Sequence, residues 1–138
     1  MSDPDLLRYE TLRWLRYARD DLYTADTLAK IGDTPIRSTC YHCQQAVEKA
    51  LKAVLVYEDM DMARTHDLSL LQALLPEGWK AKKMPIDLTN LTIWAGHQRY
   101  PGDYPEPSSE DAAQAIVMAH EVLESILEDF KARGVEVL

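Results

Sequence analysis

Four histidines, His42, His66, His97 and His120, are the side chains of this chain that change charge near neutral pH without help from their surroundings. His66 stands in Thr65-His66-Asp67, and with Lys49 and Lys52 it forms a candidate nucleotide pocket, because a spacing of three puts the two lysines on adjacent ridges of one helix face. The plainer reading makes His66 a hydrogen-bonded junction that pins a loop to the second helix. In that reading these residues form ordinary salt bridges with Glu48 or Asp67, which contribute little when exposed. Arg99 is suited to hold a phosphate bidentately, and His97, two positions earlier, makes the pair His97 and Arg99 a candidate catalytic couple if two copies of the chain bring them together. Arg99 and Tyr104 also join Lys49, Lys52 and His66 as nucleotide-binding candidates. Against this, Arg99 could simply tie its Pro-rich loop to helix carbonyls, with Tyr100 and Tyr104 packed on the bundle.

The remaining chemistry-bearing groups favour structural roles. Cys40-Tyr41-His42-Cys43 lacks the strand-helix context of a redox C-x-x-C and the four ligands of a closed zinc site, so two buried free thiols are expected and no metal is assigned. Gln44 and Gln45 are amides on an apolar helix and must find partners if buried, so a hydrogen-bonding role is favoured over base recognition. Arg13, Arg16 and Arg19 recur every three residues as a basic ridge, with Asp20, Asp21 and Asp26 close enough to neutralise it. His120 reads as a satisfied core histidine, and Glu121, Glu124, Glu128 and Asp129 as the solvated face of the last helix.

These residues need helices to position them. Residues Leu6 to about Lys30 carry Trp14, Leu15, Ala18, Leu22, Ala25, Leu28 and Ala29 at helical period, with Asp3-Pro4 as a start and Gly32 as a stop. Ile36 to about Tyr57 repeats the pattern with Ile36, Cys40, Cys43, Val47, Ala50, Leu51, Val54 and Leu55, after Thr34-Pro35. Thr65 is placed to cap a short helix from His66 to Leu75, and Pro85 to open another through Gln98 with Leu88, Leu91, Trp94 and Ala95 on one side. The Pro-rich stretch Tyr100 to Pro107 ends at Ser108, which with Asp111 forms a capping-box pattern for a last helix from Ser109 to Arg133. Its inner stripe reads Ala113, Ile116, Val117, His120, Leu123, Leu127 and Phe130, with Gly134 as the C-cap glycine. No segment sustains a period of two, so an all-α, antiparallel up-and-down bundle of four to five helices is expected, as one domain over residues 1–138.

Composition agrees with one ordinary globular domain: 138 residues, 46% hydrophobic and 28% charged. The net charge is −8, so the molecule as a whole repels polyanions at long range and any nucleic-acid contact must be local. Residues 1–57 balance 8 acids with 8 bases while residues 85–138 carry 10 acids and 3 bases, so the N-terminal half is the better place to look for phosphate contacts. No stretch reaches the roughly 18 apolar residues of a membrane span. With no signal-peptide pattern at the start and only two cysteines, a soluble cytoplasmic protein without membrane contact is expected.

Three runs in order, Cys43-Gln44-Gln45-Ala46-Val47-Glu48-Lys49-Ala50-Leu51-Lys52-Ala53, then Arg64-Thr65-His66-Asp67-Leu68, then Gln98-Arg99-Tyr100-Pro101, resemble the HEPN family, the higher eukaryotes and prokaryotes nucleotide-binding domain. Ala18-Arg19-Asp20-Asp21-Leu22 before them and Ser108-Ser109-Glu110-Asp111-Ala112 after them extend the resemblance over nearly the whole chain. The resemblance implies a helical bundle, commonly a homodimer, without a cofactor. It also implies one of two roles: one half of a toxin–antitoxin-like pair with a minimal nucleotidyltransferase, or a metal-independent ribonuclease. His66 matches a position that the family commonly holds as His. The ribonuclease branch carries an Arg followed four to six residues later by His, but this chain reads Arg99-Tyr100-Pro101-Gly102-Asp103-Tyr104-Pro105-Glu106, with no His at the required positions. RNA cleavage without metal needs a group to take a proton from the 2′-hydroxyl and one to return a proton to the leaving oxygen, and Tyr104 is a poor substitute. Arg37 and His42 match the spacing formally, yet five residues along a helix turn side chains roughly 140° apart. The favoured expectation is therefore a nucleotide-associated or partner-binding subunit of a nucleotidyltransferase pair. The alternatives are a ribonuclease toxin with an altered motif and a helical scaffold without ligand. Tyr100 and Tyr104 are candidate targets for modification by a partner transferase.

Overall fold

Asp3 accepts the backbone N–H of Asp5 and Pro4 takes the first helical position, so helix α1 runs Pro4–Ile31 and stops at Gly32, whose φ of 85° suits a residue without Cβ. Helix α2 (Ile36–Tyr57) follows after four residues, and the pair must be antiparallel. Trp14 meets Lys52 and Tyr17 meets Lys49, while Asp21 meets His42, so positions fall along α2 as they rise along α1. The computed structural model describes residues 2–61, 64–97 and 106–137, and of residues 94–97 the backbone alone.

The chain then makes an excursion through α3 (Leu68–Leu74), a 3-10 turn (Lys80–Lys83) and α4 (Thr89–His97) before returning in α5 (Ser109–Ala132). Tyr57 packs edge-on against Phe130 at one end, and Cys40 lies in the field of Asp111 at the other, so α5 runs alongside α2 in the same direction. Helix α2 touches α1, α3, α4 and α5, which is why its expected stripe is joined in the core by Ala46, Ala53, Gln44, Glu48 and Lys52. Every described regular element is helical, and the all-α bundle stands.

Four local expectations shift. Asp67, rather than Thr65, caps α3 by accepting from the N–H groups of Ser69 and Leu70, while Thr65 accepts from the Asp67 N–H, so His66 precedes the helix instead of sitting in its first turn. Pro85 opens no helix. The Gln72 amide donates to the carbonyls of Ala81 and Met84 and holds the passage extended, and α4 begins at Thr89, where Asp87 accepts the Thr89 N–H. The 3-10 turn has no signal in its run of lysines; the Lys80 N–H donates to Asp129 at 2.7 Å, and that contact from a distant helix fixes it. Asp129 is accordingly buried rather than solvated.

Helix α5 is rotated relative to its expected stripe. The Ser108–Asp111 capping box forms, but the buried line is Ala115, Ala119, Val122, Leu123, Ile126 and Phe130. Ile116 and Leu127 are only partly covered, Ala113 is exposed, and Val117 is 56% exposed. The apolar period holds, with Ile116, Met118 and Leu127 packed at the edge of the core and Ala113 and Val117 left exposed. At the end of the core Trp79, Tyr57 and Phe130 form an edge-to-face cluster, and Arg133 stacks on Trp79 at 3.9 Å.

Candidate functional site

The most enclosed polar cluster grows from one i, i+4 series on α2. Gln44, Glu48 and Lys52 follow one another a turn apart on α2 and are all buried, so their polar ends must satisfy each other. Glu48 is 5% exposed. Its carboxylate accepts from Gln44 Nε2 at 2.9 Å, from Lys52 Nζ at 3.1 Å and from His66 Nδ1 at 2.8 Å. Gln44 Oε1 in turn accepts from Gln45 Nε2 at 2.7 Å, which gives both glutamines the hydrogen-bonding role expected of them. Burial acts to raise the Glu48 carboxyl, but the bonds from Gln44 and His66 and the charge of Lys52 outweigh it, and the net shift is downward. An ionised carboxylate only accepts, so the bond requires the His66 proton on Nδ1 and leaves Nε2 as the open acceptor of the neutral ring. The His66 side chain is 73% exposed while that of Glu48 is 6% exposed. A solvent-facing imidazole thus rests on a buried anion.

Lys49 turns the other way. Its ammonium bonds Asp21, which also takes His42 Nδ1 at 2.9 Å, and lies over the Tyr17 ring. Of the expected nucleotide-binding set, His66 and Lys52 are brought together on Glu48, and Lys49 is directed to α1 instead. Arg99 and Tyr104 lie outside the described residues, as does Tyr100. His97 closes the backbone of α4, with its side chain likewise outside them. Arg64, exposed and two residues before His66, has no carboxylate partner among the described residues.

The third cluster lies in a groove of about 530 Å³ between α1 and α5, lined by Arg16, Arg19, Tyr23 and Glu124. There His120 Nε2 meets Asp26 at 3.0 Å, so His120 is a half-exposed bridge between helices rather than a core residue. The pairing of Asp21 with α2 and of Asp26 with α5 also removes two of the three aspartates expected to neutralise the basic ridge; Arg13 pairs with Glu10 and Arg19 reaches the Val137 carbonyl. Cys40 and Cys43 are buried free thiols, with Cys40 pushed up to about 11 by burial first and by the charge of Asp111 second, and Cys43 raised further still by its deeper burial.

Sequence reasoning had Lys52, His66 and Glu48 as possible partners but missed that Glu48 is the centre. The signal was present in Gln44-x3-Glu48-x3-Lys52, three polar residues in register on a covered face. Asp21 and Asp26 carried no such signal, because their partners are 21 and 94 residues away. Among the described residues no group of three His, Cys, Asp or Glu side chains is placed to hold a metal ion, and no helix is long and apolar enough to cross a membrane.

With this geometry in hand, the comparisons with known proteins are specific. The chain is 30% identical over 140 aligned residues, covering 90% of it and 89% of the relative, to the protein named "Putative toxin MJ1304" of Methanocaldococcus jannaschii. It also superposes on the crystal structure of TT1696 from Thermus thermophilus with a TM-score of 0.71 and 28% identity, over 86% of this chain and 97% of that one. A family model described as HEPN domain matches residues 11–130, which takes in most of α1, the Glu48 cluster, the excursion and nearly all of α5. The chain belongs to the HEPN domain family.

Proposed function

We propose that this protein is the HEPN subunit of a toxin–antitoxin-like pair, a homodimer that engages a minimal nucleotidyltransferase. The observation that carries the reading is an exposed stretch of α5, where Val117 is 56% exposed beside Ala113, Gln114 and Met118 in a shallow apolar depression. Ala113 and Val117, exposed a turn apart on an otherwise acidic helix surface, offer a partner chain a small apolar place to dock. The relative named as a toxin supports the same reading, since it matches over about nine-tenths of both chains. Light scattering on the protein alone, and after mixing with a minimal nucleotidyltransferase encoded beside it, tests this. A mass of one chain in both samples would end the reading. A dimer that Val117→Glu splits, with unfolding temperature unchanged, is the expected outcome.

Ribonuclease activity is the second reading, and the Glu48–His66 pair favours it. The Arg99 segment lacks its histidine, but the chain holds an exposed imidazole elsewhere, oriented by a buried carboxylate. Binding of a nucleotide around His66, Lys52 and Arg99 belongs with this second reading. Incubation with single-stranded RNA in EDTA, read on a denaturing gel, separates the two roles.

A further inference from the structure

The groove between α1 and α5 has walls of opposite sign. On the α1 wall Arg16 and Arg19 are exposed, and Asp26 is drawn across to His120. On the α5 wall Glu124 and Glu128 are exposed. Asp20 on the first wall and Lys131 on the second reduce these charges without reversing them, and Lys131 lies 3.9 Å from Glu136. Leu22, Leu123 and Leu127 give the groove an apolar floor, and Tyr23 stands at its lip, 73% exposed. A second depression of about 360 Å³ shares Arg19 and Leu127 with the first and carries the groove on to Glu128 and Val137. Exposed arginine and tyrosine beside an apolar floor is the composition of surfaces that proteins bury against each other.

The register of the two walls says which surface fits. Helix α1 runs against α2 and α5 runs with it, so α1 and α5 are antiparallel. Asp26 meets His120, and seven residues back along α1 Arg19 shares the groove with Leu127, seven residues on along α5. Arg19 is thus level with the turn between Glu124 and Glu128. A two-fold axis running along the groove keeps each residue at its level and exchanges the walls, so α1 of one copy lies over α5 of the other. Arg19 then meets the partner's Glu124 and Glu128, and Tyr23 lies over the partner's Leu123. Val117, three residues before His120, is level with Ala29 and meets the end of the partner's α1, where Ile31 is exposed as well. An axis across the groove would instead set α5 on α5 and oppose glutamates to glutamates, which is disfavoured.

We propose that the α1–α5 groove is the surface on which a second copy of this chain seats, the basic wall of each chain against the acidic wall of the other. The proposal rests on the homodimer put forward above and goes further in stating which helices meet. Val117 is then one edge of a contact whose centre is charged, and added salt should weaken the dimer.

The test is a charge exchange in the full chain, read by light scattering. Arg16→Glu/Arg19→Glu makes both walls acidic, and Glu124→Arg/Glu128→Arg makes both basic. Each double variant alone should have its dimer Kd raised by about 100-fold or more, because like charges face each other at two places. All four side chains are exposed, so unfolding temperatures should stay near wild type. An equimolar mixture of the two variants should restore a dimer with one chain of each kind, which damaged folds would not do. Double variants that both stay dimeric, or a mixture that stays monomeric, overturn the proposal and leave the homodimer standing. Variants that stay dimeric but no longer take up the transferase assign the groove to that partner and overturn it as well. A monomeric wild type ends the homodimer and the proposal together.

Discussion

His66 donates Nδ1–H to Glu48 across 2.8 Å, joining the loop before α3 to the middle of α2 through a ring that is mostly in water and a carboxylate that is not. The two ends of that bond differ in what their loss does. Removal of the ring exposes an acceptor that still has Gln44 and Lys52, whereas removal of the carboxylate strands the buried donors of Gln44 and Lys52.

Glu48→Ala should therefore destabilise the fold by about 3–5 kcal/mol, the range for breaking a buried ion pair from one side. Urea unfolding followed by circular dichroism measures it. His66→Ala should fall within about 1.5 kcal/mol of wild type, as expected for one hydrogen bond to an exposed partner.

Acid should act through the same carboxylate. Glu48 is held below its ordinary value of 4.5, so the unfolded chain binds its proton first. Its contribution to stability is complete above that value and is lost as pH falls through the lower folded one. Unfolding midpoints for wild type and Glu48→Gln, measured from about pH 6 down to about pH 3, should converge toward the acid end, and parallel curves would contradict the assignment.

The two thiols should be inert in the native state. Cys40, raised to about 11, has almost no thiolate at neutral pH, and Cys43 is deeper. A maleimide reagent should label neither near neutral pH until denaturant is added; labelling at a native rate would mean that the α1–α2–α5 core opens readily.

Asp129 should matter more than its place among the acids of α5 suggests. Asp129→Ala removes the acceptor of the Lys80 N–H and one partner of the Lys80 ammonium. A loss of about 1–3 kcal/mol is expected from an orphaned, partly buried donor. Glu128→Ala, which removes only an exposed pair, should change stability by less than about 1 kcal/mol.

Helices with strong local punctuation are legible in the sequence. Asp3-Pro4, Gly32 and Ser108 with Asp111 act within one turn of themselves, and each stands where the sequence puts it. Where a distant residue decides, the sequence misleads. Thr65 and Asp67 both carry a capping side chain, and Gln72, reaching over to Ala81 and Met84, ties down the stretch where Pro85 reads as a helix start, while Asp87 accepts from Thr89 where α4 begins. The α5 stripe holds at Leu123 and Phe130 and misses at Ala113 and Val117, because period shows that a helix has an apolar side but does not fix its rotation to the residue. In the site, Glu48 is hidden because a glutamate in a lysine-rich run reads as a solvated charge, and only the packing of distant elements around α2 makes it a buried one.

The shared direction of α2 and α5 has a consequence for the order in which the molecule assembles. Helices α1 and α2 are joined by four residues and can zip together as a local hairpin with little loss of chain freedom. Helix α5 cannot dock on α2 until the chain between Tyr57 and Ser109 has travelled back along the bundle, so its contacts close a long loop. Mutations such as Leu15→Ala or Val47→Ala should therefore slow refolding, while Ile126→Ala should chiefly speed unfolding, and the reverse pattern would show that α5 docks before the hairpin forms.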